Sequence, residues 1–264
     1  MKRTLWFVGC ALVFSAAAWA ATATPAGSPF DGTWRTDMAQ TRLSPKPVSF
    51  YLSDGWYHCT TCAPSIDVQA DGQEHPVSGQ SYDTLSVTVV DLHTLSLVAK
   101  KAGKVVYEQT RTVSADGKVL TVKTTIHPMD NNAPETFEAT GKRSGIAPSG
   151  VHATSGNWIV EKENGSANAL TTTYKLNGDE LTMSEPDGAT YTAKLDGGDF
   201  PVKGSYGFDT VSVKKIDGHT IEETDKRDGT VVDIAKMTVN GKTMTIVDTD
   251  PRTDRTSTYM AHKE

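Results

Sequence analysis

The chain has 264 residues, 37% of them hydrophobic and 8% aromatic, which is enough apolar material for a packed interior and carries no compositional mark of disorder. Its formal net charge is −6 with no dense basic stripe, which excludes the phosphate-neutralising surface that a nucleic-acid binder needs. No nucleophile-elbow sequence, Gly-rich phosphate loop or two-histidine helix motif is present. The reading is therefore of a protein that is not an enzyme and has no cofactor or metal.

Residues 1–20 have the form of a secretory signal: a basic Met1-Lys2-Arg3, an apolar run from Leu5 to Ala18, and the small-x-small end Ala18-Trp19-Ala20. That run is shorter than the ~20 residues a bilayer span requires. Cleavage after Ala20 would deliver a periplasmic or secreted protein, with a lipidated Cys10 as the alternative. No later stretch is apolar for long enough to span a membrane.

Beyond the signal, Asp-Gly and Asn-Gly pairs punctuate the chain from Asp54-Gly55 and Asp71-Gly72 to Asp228-Gly229 and Asn240-Gly241. Short Thr/Val/Ile/Tyr-rich runs lie between them, and no window has a 3.6-residue apolar period. This is the pattern of antiparallel hairpins in series, an all-β protein.

The first chemistry-bearing segment is Trp56-Tyr57-His58-Cys59-Thr60-Thr61-Cys62. With the signal removed, Cys59 and Cys62 are the only cysteines, and an oxidising compartment would pair them across a turn. A redox dithiol would want a helix N-terminus to lower a thiol pKa, and none is expected here. Covalent haem would want His after the pair, whereas His58 precedes it. A metal site would draw on His58, Cys59 and Cys62 with a distant ligand such as His75.

The chain is then written twice. Tyr82-Asp83-Thr84-Leu85-Ser86-Val87, Asp91, His93-Thr94-Leu95 and Asp116-Gly117-Lys118 return as Phe208-Asp209-Thr210-Val211-Ser212-Val213, Asp217, His219-Thr220-Ile221 and Asn240-Gly241-Lys242. Each copy opens on Gly-x-Trp, at Gly32-Thr33-Trp34 and Gly156-Asn157-Trp158. Between the copies lies the Gly/Ser/Pro-rich stretch 144–153. The expected units are residues 30–143 and 154–264, each with about nine strands, a plausible domain size. One larger continuous barrel or sheet is the alternative.

Alternation fixes a register. Leu85, Val87 and Val89 share a face, as do Leu95, Leu97 and Ala99, and these faces coincide if Val89 pairs with Leu95 across a loop Asp91-Leu92-His93. The third loop residue would then be left-handed, a conformation His tolerates; His219 stands at the same place in the second copy. Lys101-Ala102-Gly103 and Arg227-Asp228-Gly229 read as further three-residue loops. In the second copy the same register pairs Lys214 with Glu222 and puts Lys215 and Glu223 on the face that is apolar in the first. These two charges either mark a solvated side or line a polar cavity, and the solvated side is favoured because unpaired buried charge is costly.

The Gly-x-Trp on the first strand of an up-and-down meander resembles the opening of lipocalins and other calycins. The longer pattern, Tyr82-Asp83-Thr84 with Asp116-Gly117-Lys118 and the run Glu222 to Gly229, is similar to a group of exported bacterial lipocalin-like proteins of unestablished role. The resemblance implies two tandem lipocalin-like β-barrels, and a basic residue packed across each Trp, a part that Arg143 and Lys263 would take. It brings no catalytic residues. The expected function is binding of a small, partly apolar molecule in a barrel, with Tyr51, Trp56, Tyr57 and Tyr107 as contacts or, for each, ordinary packing. The alternative is a structural or protein-interaction module of the cell envelope. The sequence is silent on oligomeric state.

Overall fold

The Thr/Val-rich runs form antiparallel strands in the computed structural model, which describes residues 27–129 and 132–264. The expected signal at 1–20, with Cys10, lies outside the described residues. In chain order the strands are β1 (Gly32–Thr36), β2 (Val48–Ser53), β3 (Trp56–Cys59), β4 (Ile66–Gln69), β5 (Glu74–Pro76), β6 (Thr84–Asp91), β7 (Thr94–Lys101), β8 (Lys104–Val113), β9 (Val119–Ile126) and β10 (Glu135–Ser144). They continue as β11 (Gly156–Gly165), β12 (Thr171–Asn177), β13 (Glu180–Ser184), β14 (Thr190–Lys194), β15 (Asp196–Pro201), β16 (Thr210–Lys215), β17 (Thr220–Arg227), β18 (Thr230–Asn240), β19 (Thr243–Asp250) and β20 (Arg255–Lys263). Among the described residues no helix is long and apolar enough to cross a membrane.

The strands make two ten-stranded antiparallel sheets, each rolled into a nearly closed barrel. The first runs β4-β3-β2-β11-β10-β9-β8-β7-β6-β5 and the second β14-β13-β12-β1-β20-β19-β18-β17-β16-β15. The all-β class and the two up-and-down barrels are as expected, and the chain does not merge into one larger sheet. Closure is completed by loop contacts where the end strands meet: Gly72 N–H donates to Val87 O at 3.0 Å in the first barrel, and Thr190 and Lys203 exchange two backbone bonds of 2.9 Å in the second. Such contacts cover edges that would otherwise invite another strand.

The barrels are out of phase with the sequence repeat by one strand. β11, the Gly-x-Trp strand of the second copy, sits between β2 and β10 in the first barrel. β1, its counterpart from the first copy, sits between β12 and β20 in the second. The stretch 144–153 thus lies in a hairpin connection from β10 to β11. His152 N–H donates to Leu52 O at 3.2 Å, and the adjoining Thr154 and Ser155 are buried.

This exchange crosses the expected Trp partners. Arg143 lies 4.1 Å from the ring of Trp158, and its guanidinium donates to the carbonyls of Gly117, Ala153 and Ser155 at 2.6–2.7 Å. Lys263 lies 5.4 Å from the ring of Trp34. Each basic residue therefore closes the barrel with the Trp of the other copy. Further ties between the barrels come from Arg227, which donates to Gly79 O at 2.9 Å, and Arg252, which donates to Ala63 O at 3.0 Å.

The registers read from alternation are present: Val89 pairs with Leu95, Val87 with Leu97, Lys214 with Glu222 and Val213 with Glu223. The turns that set them differ from the expectation. Neither His93 nor His219 has a positive φ. Instead Asp91 Oδ1 and Asp217 Oδ1 accept the backbone N–H of His93 and His219 at 2.7 and 2.8 Å, an Asx-type turn. In the first copy an irregularity at Val90 absorbs the extra residue. Ala102-Gly103 and Asp228-Gly229 are two-residue turns with both residues left-handed, and an irregularity one strand residue earlier restores the pairing.

Both barrels have an apolar core. Phe50, Tyr57, Leu85, Leu97 and Trp158 are buried in the first, and Trp34, Leu181, Met183, Met237 and Met244 in the second. The inner face of the second is thus more apolar than its sequence suggested. Glu223 is buried in it rather than solvated, while Lys215 is exposed.

Candidate functional site: the interior of the first barrel

Strand β8 carries the polar element of the site. After the irregularity at Ala99/Lys100, strict alternation turns Tyr107, Gln109, Arg111 and Val113 to the inside and Glu108, Thr110 and Thr112 to the outside. Arg111 therefore lies deep in the barrel, with part of its surface open to a cavity of about 280 Å³. The other walls are chiefly apolar, with Phe50 from β2, Leu120 and Val122 from β9, Phe137 from β10, and Trp158 from β11.

The guanidinium is fixed from several sides. Its Nη1 donates to Tyr57 Oη at 2.7 Å and its Nε to Gln109 Oε1 at 2.5 Å, while Gln109 Nε2 donates to Thr124 Oγ1 at 3.0 Å. The ring of Phe50 lies 4.2 Å below it and that of Tyr57 at 5.6 Å, distances at which a cation is attracted to the aromatic face. Burial opposes its charge, but the tyrosine hydroxyls facing it favour the charged form, and a guanidinium does not lose its proton in a protein. No carboxylate is ion-paired with Arg111 among the described residues. Glu163 lines the same cavity, where burial raises its pKa.

The cysteines frame the cavity. Cys59 at the end of β3 is disulfide-bonded to Cys62 in the following turn, and both line the cavity. Thr61, between them, accepts from Ser49 N–H at 2.8 Å, which ties the turn to β2.

Of the four aromatic residues singled out from sequence, two point inward. Tyr57 is buried and bonded to Arg111, and Tyr107 stacks on Tyr82 with ring centroids 6.4 Å apart and its pKa pushed up by burial to about 12. Tyr51 and Trp56 lie at alternate positions, on the outer face. Tyr51 Oη donates to Asn157 Oδ1 at 3.2 Å, and Trp56 is exposed. The histidines do not converge, since His58 pairs with Asp67 at 2.5 Å and His75 with Asp71 at 2.8 Å. Among the described residues no group of three or more His, Cys, Asp or Glu is arranged to hold a metal ion.

Sequence reasoning missed Arg111. The signal was available in the alternation Tyr107-x-Gln109-x-Arg111-x-Val113, which places a cation on an inner face.

The second barrel carries a cluster of acids within its otherwise apolar interior. Tyr191 Oη donates to Glu223 Oε2 at 2.5 Å, and Asp225 Oδ1 is buried without a hydrogen-bond partner. Burial, then neighbouring carboxylates, raise the pKa of Asp225, and burial raises that of Glu223. Asp233 is raised by burial and by Asp248 beside it, and Glu185 is pushed up to about 8, chiefly by burial.

A broader hollow of about 870 Å³ lies outside both barrels where β1, β10, β11 and β20 cross. It is an open groove in which Arg35, Lys162 and Lys263 mix with Asp37, Glu138 and Glu264, a solvated surface rather than an enclosing site. No protein-family model, curated protein or solved structure matches the chain.

Proposed function

We propose that the protein is an exported, periplasmic or secreted binding protein that takes a small, partly apolar molecule into its first barrel. The observation that carries this reading is the interior cavity of about 280 Å³ beside the Cys59–Cys62 turn, apolar on most sides and polar on one. That combination, with a few fixed polar groups on an apolar wall, is the usual make-up of a ligand site. The lipocalin-like opening of each copy and the secretory form of residues 1–20 support the fold analogy and the compartment.

Native mass spectrometry of protein purified from its own host tests the reading. A retained small mass is expected, and Val122→Trp, which fills the cavity, should lose it while the barrel still melts cooperatively. A ligand-free mass in the wild type would count against binding.

A second reading, an interaction module of the cell envelope, has one observation in its favour. Val90, Leu92 and Ile146 are exposed, Ile146 almost fully. The end of β6 carrying Val90, its turn carrying Leu92 and the β10–β11 connection carrying Ile146 are tied together at one end of the first barrel, where His152 Nε2 lies 2.7 Å from Asp91 O. A protein that co-purifies with a ligand-free chain, and is released by Leu92→Asp, would favour this reading over the first.

A further inference from the structure

We infer that the ligand of the first barrel carries one anionic group, a carboxylate or similar oxyanion, which Arg111 receives while the rest of the molecule lies against Leu120, Val122, Phe137 and Trp158. This rests on the proposed binding function and narrows it to a chemical class.

The argument begins with an uncompensated charge. Arg111 stands in the barrel interior with aromatic rings and neutral hydrogen-bond partners around it, and no described ion pair uses it. A buried cation without a counter-charge is costly, and proteins supply a partner by pairing or by binding one. The one acid that lines the cavity, Glu163, makes no ion pair with Arg111 among the described residues, and burial raises its pKa. The charge is therefore left for something that enters.

Geometry makes the guanidinium fit to receive it. Of the five N–H groups on an arginine, one on Nε and one on Nη1 are bonded, and the Tyr107 hydroxyl is a further partner of the group. Those two bonds, to Gln109 and Tyr57, hold the fork in a fixed plane, and Thr124 holds Gln109 in turn. The remaining donors can take a planar oxyanion in the two-bond manner that suits guanidinium. Pre-orientation by a second layer of hydrogen bonds is what a site needs if ligand binding is not to pay for ordering the side chain.

The apolar walls set the rest of the molecule. A cavity of about 280 Å³ is at the small end for ligand sites, which run from roughly 300 to 1,000 Å³. A short alkyl or single-ring body suits it better than a sterol-sized one.

Decanoate and decyl alcohol, which differ only at the head group, separate this inference from the reading beneath it. Titrated calorimetrically into the wild type, decanoate should bind roughly tenfold to a hundredfold more tightly than the alcohol, the range expected for a charge-assisted hydrogen bond. Arg111→Met should bring that ratio close to one, and Arg111→Lys, which keeps the charge without the fork, should leave it between the two. Equal affinity of the wild type for both probes would overturn the anion inference and leave the binding function standing, as would a preference that survives Arg111→Met. Binding of neither probe would overturn the binding function itself. Should Arg111→Met fail to fold, the wild-type ratio and the lysine variant still decide.

Discussion

At the scale of single residues, two arginine or lysine contacts with the same topological role should differ in worth. Arg143 covers Trp158 and satisfies three backbone carbonyls, those of Gly117, Ala153 and Ser155. Lys263 covers Trp34 with no side-chain hydrogen bond among those described. Truncating Arg143 to Met strands acceptors that charge-assisted bonds now hold, at a cost of about 2–3 kcal/mol. Lys263→Met should cost under about 1 kcal/mol, the scale of an exposed cation–aromatic contact. Urea unfolding of both variants measures the difference, and equal losses would show that the ring contact, not the carbonyls, is what Arg143 contributes.

The carboxyl groups inside the second barrel call for a pH experiment. Glu223 and Asp225 from β17 face Tyr191 from β14 and Tyr174 from β12, with Glu185 following β13, Asp233 on β18 and Asp248 on β19. None of these acids is bonded or ion-paired to a lysine or arginine among the described residues. The raised folded-state pKa values of Glu185, Glu223, Asp225 and Asp233 mean that the native state holds more protons than the unfolded chain, whose carboxyls titrate near 4. The stabilisation is complete below about pH 4 and is lost as pH rises through the folded values, which for Glu185 is about 8. The Tm should therefore fall between about pH 5 and about pH 9. Asp225→Asn should flatten that slope and raise the Tm at the alkaline end, since it removes a charge from a buried oxygen that lacks a partner. A Tm that climbs across this window would contradict the assignment.

At the scale of elements, strand register was legible in the sequence and turn chemistry was not. The pairings of β6 with β7 and of β16 with β17 follow from which residues must share the inner face, because a one-residue slip would turn Leu85 and Val87 outward. Turns add solutions that face-matching cannot distinguish. A three-residue loop and a two-residue loop with a bulge give the same partners, and the chain uses the second at Ala102-Gly103 and Asp228-Gly229. The repeated Asp-x-His was likewise informative for its Asp, which caps the turn, rather than its His. The cysteine pair was legible because, with residues 1–20 set aside, the count leaves Cys59 no partner but Cys62. Its loop is short, so by loop-closure entropy Cys59→Ala with Cys62→Ala should cost only about 2 kcal/mol. Chemical denaturation with and without reductant checks this. A loss well beyond that figure would mean the bridge also holds the cavity wall at Thr61 and Ser49.

At the scale of the whole molecule, the exchange of β1 and β11 was not legible, because both strands open on the same Gly-x-Trp and alternation cannot say which barrel each one enters. The structure shows an asymmetry that decides where the chain can be cut. β11 is ten residues long and β1 five, and β1 is followed at once by the turn Met38–Gln40. β1 is therefore too short to take the place of β11, which lies along almost all of β10 and supplies Trp158, Val160 and Glu163 to the cavity. A fragment of residues 42–166 contains every strand of the first barrel and should fold as a monomer with a cooperative melt. A fragment of residues 27–150, cut where the repeat divides, keeps β1 but loses β11. It should expose the edges of β2 and β10, leave the space of Trp158 empty, and associate or melt without cooperativity. Size-exclusion chromatography and thermal melts of the two fragments compare them directly. If the shorter cut behaved as the better-folded monomer, β1 would have to occupy the β11 position, and the sequence repeat rather than the strand-exchanged barrel would be the folding unit.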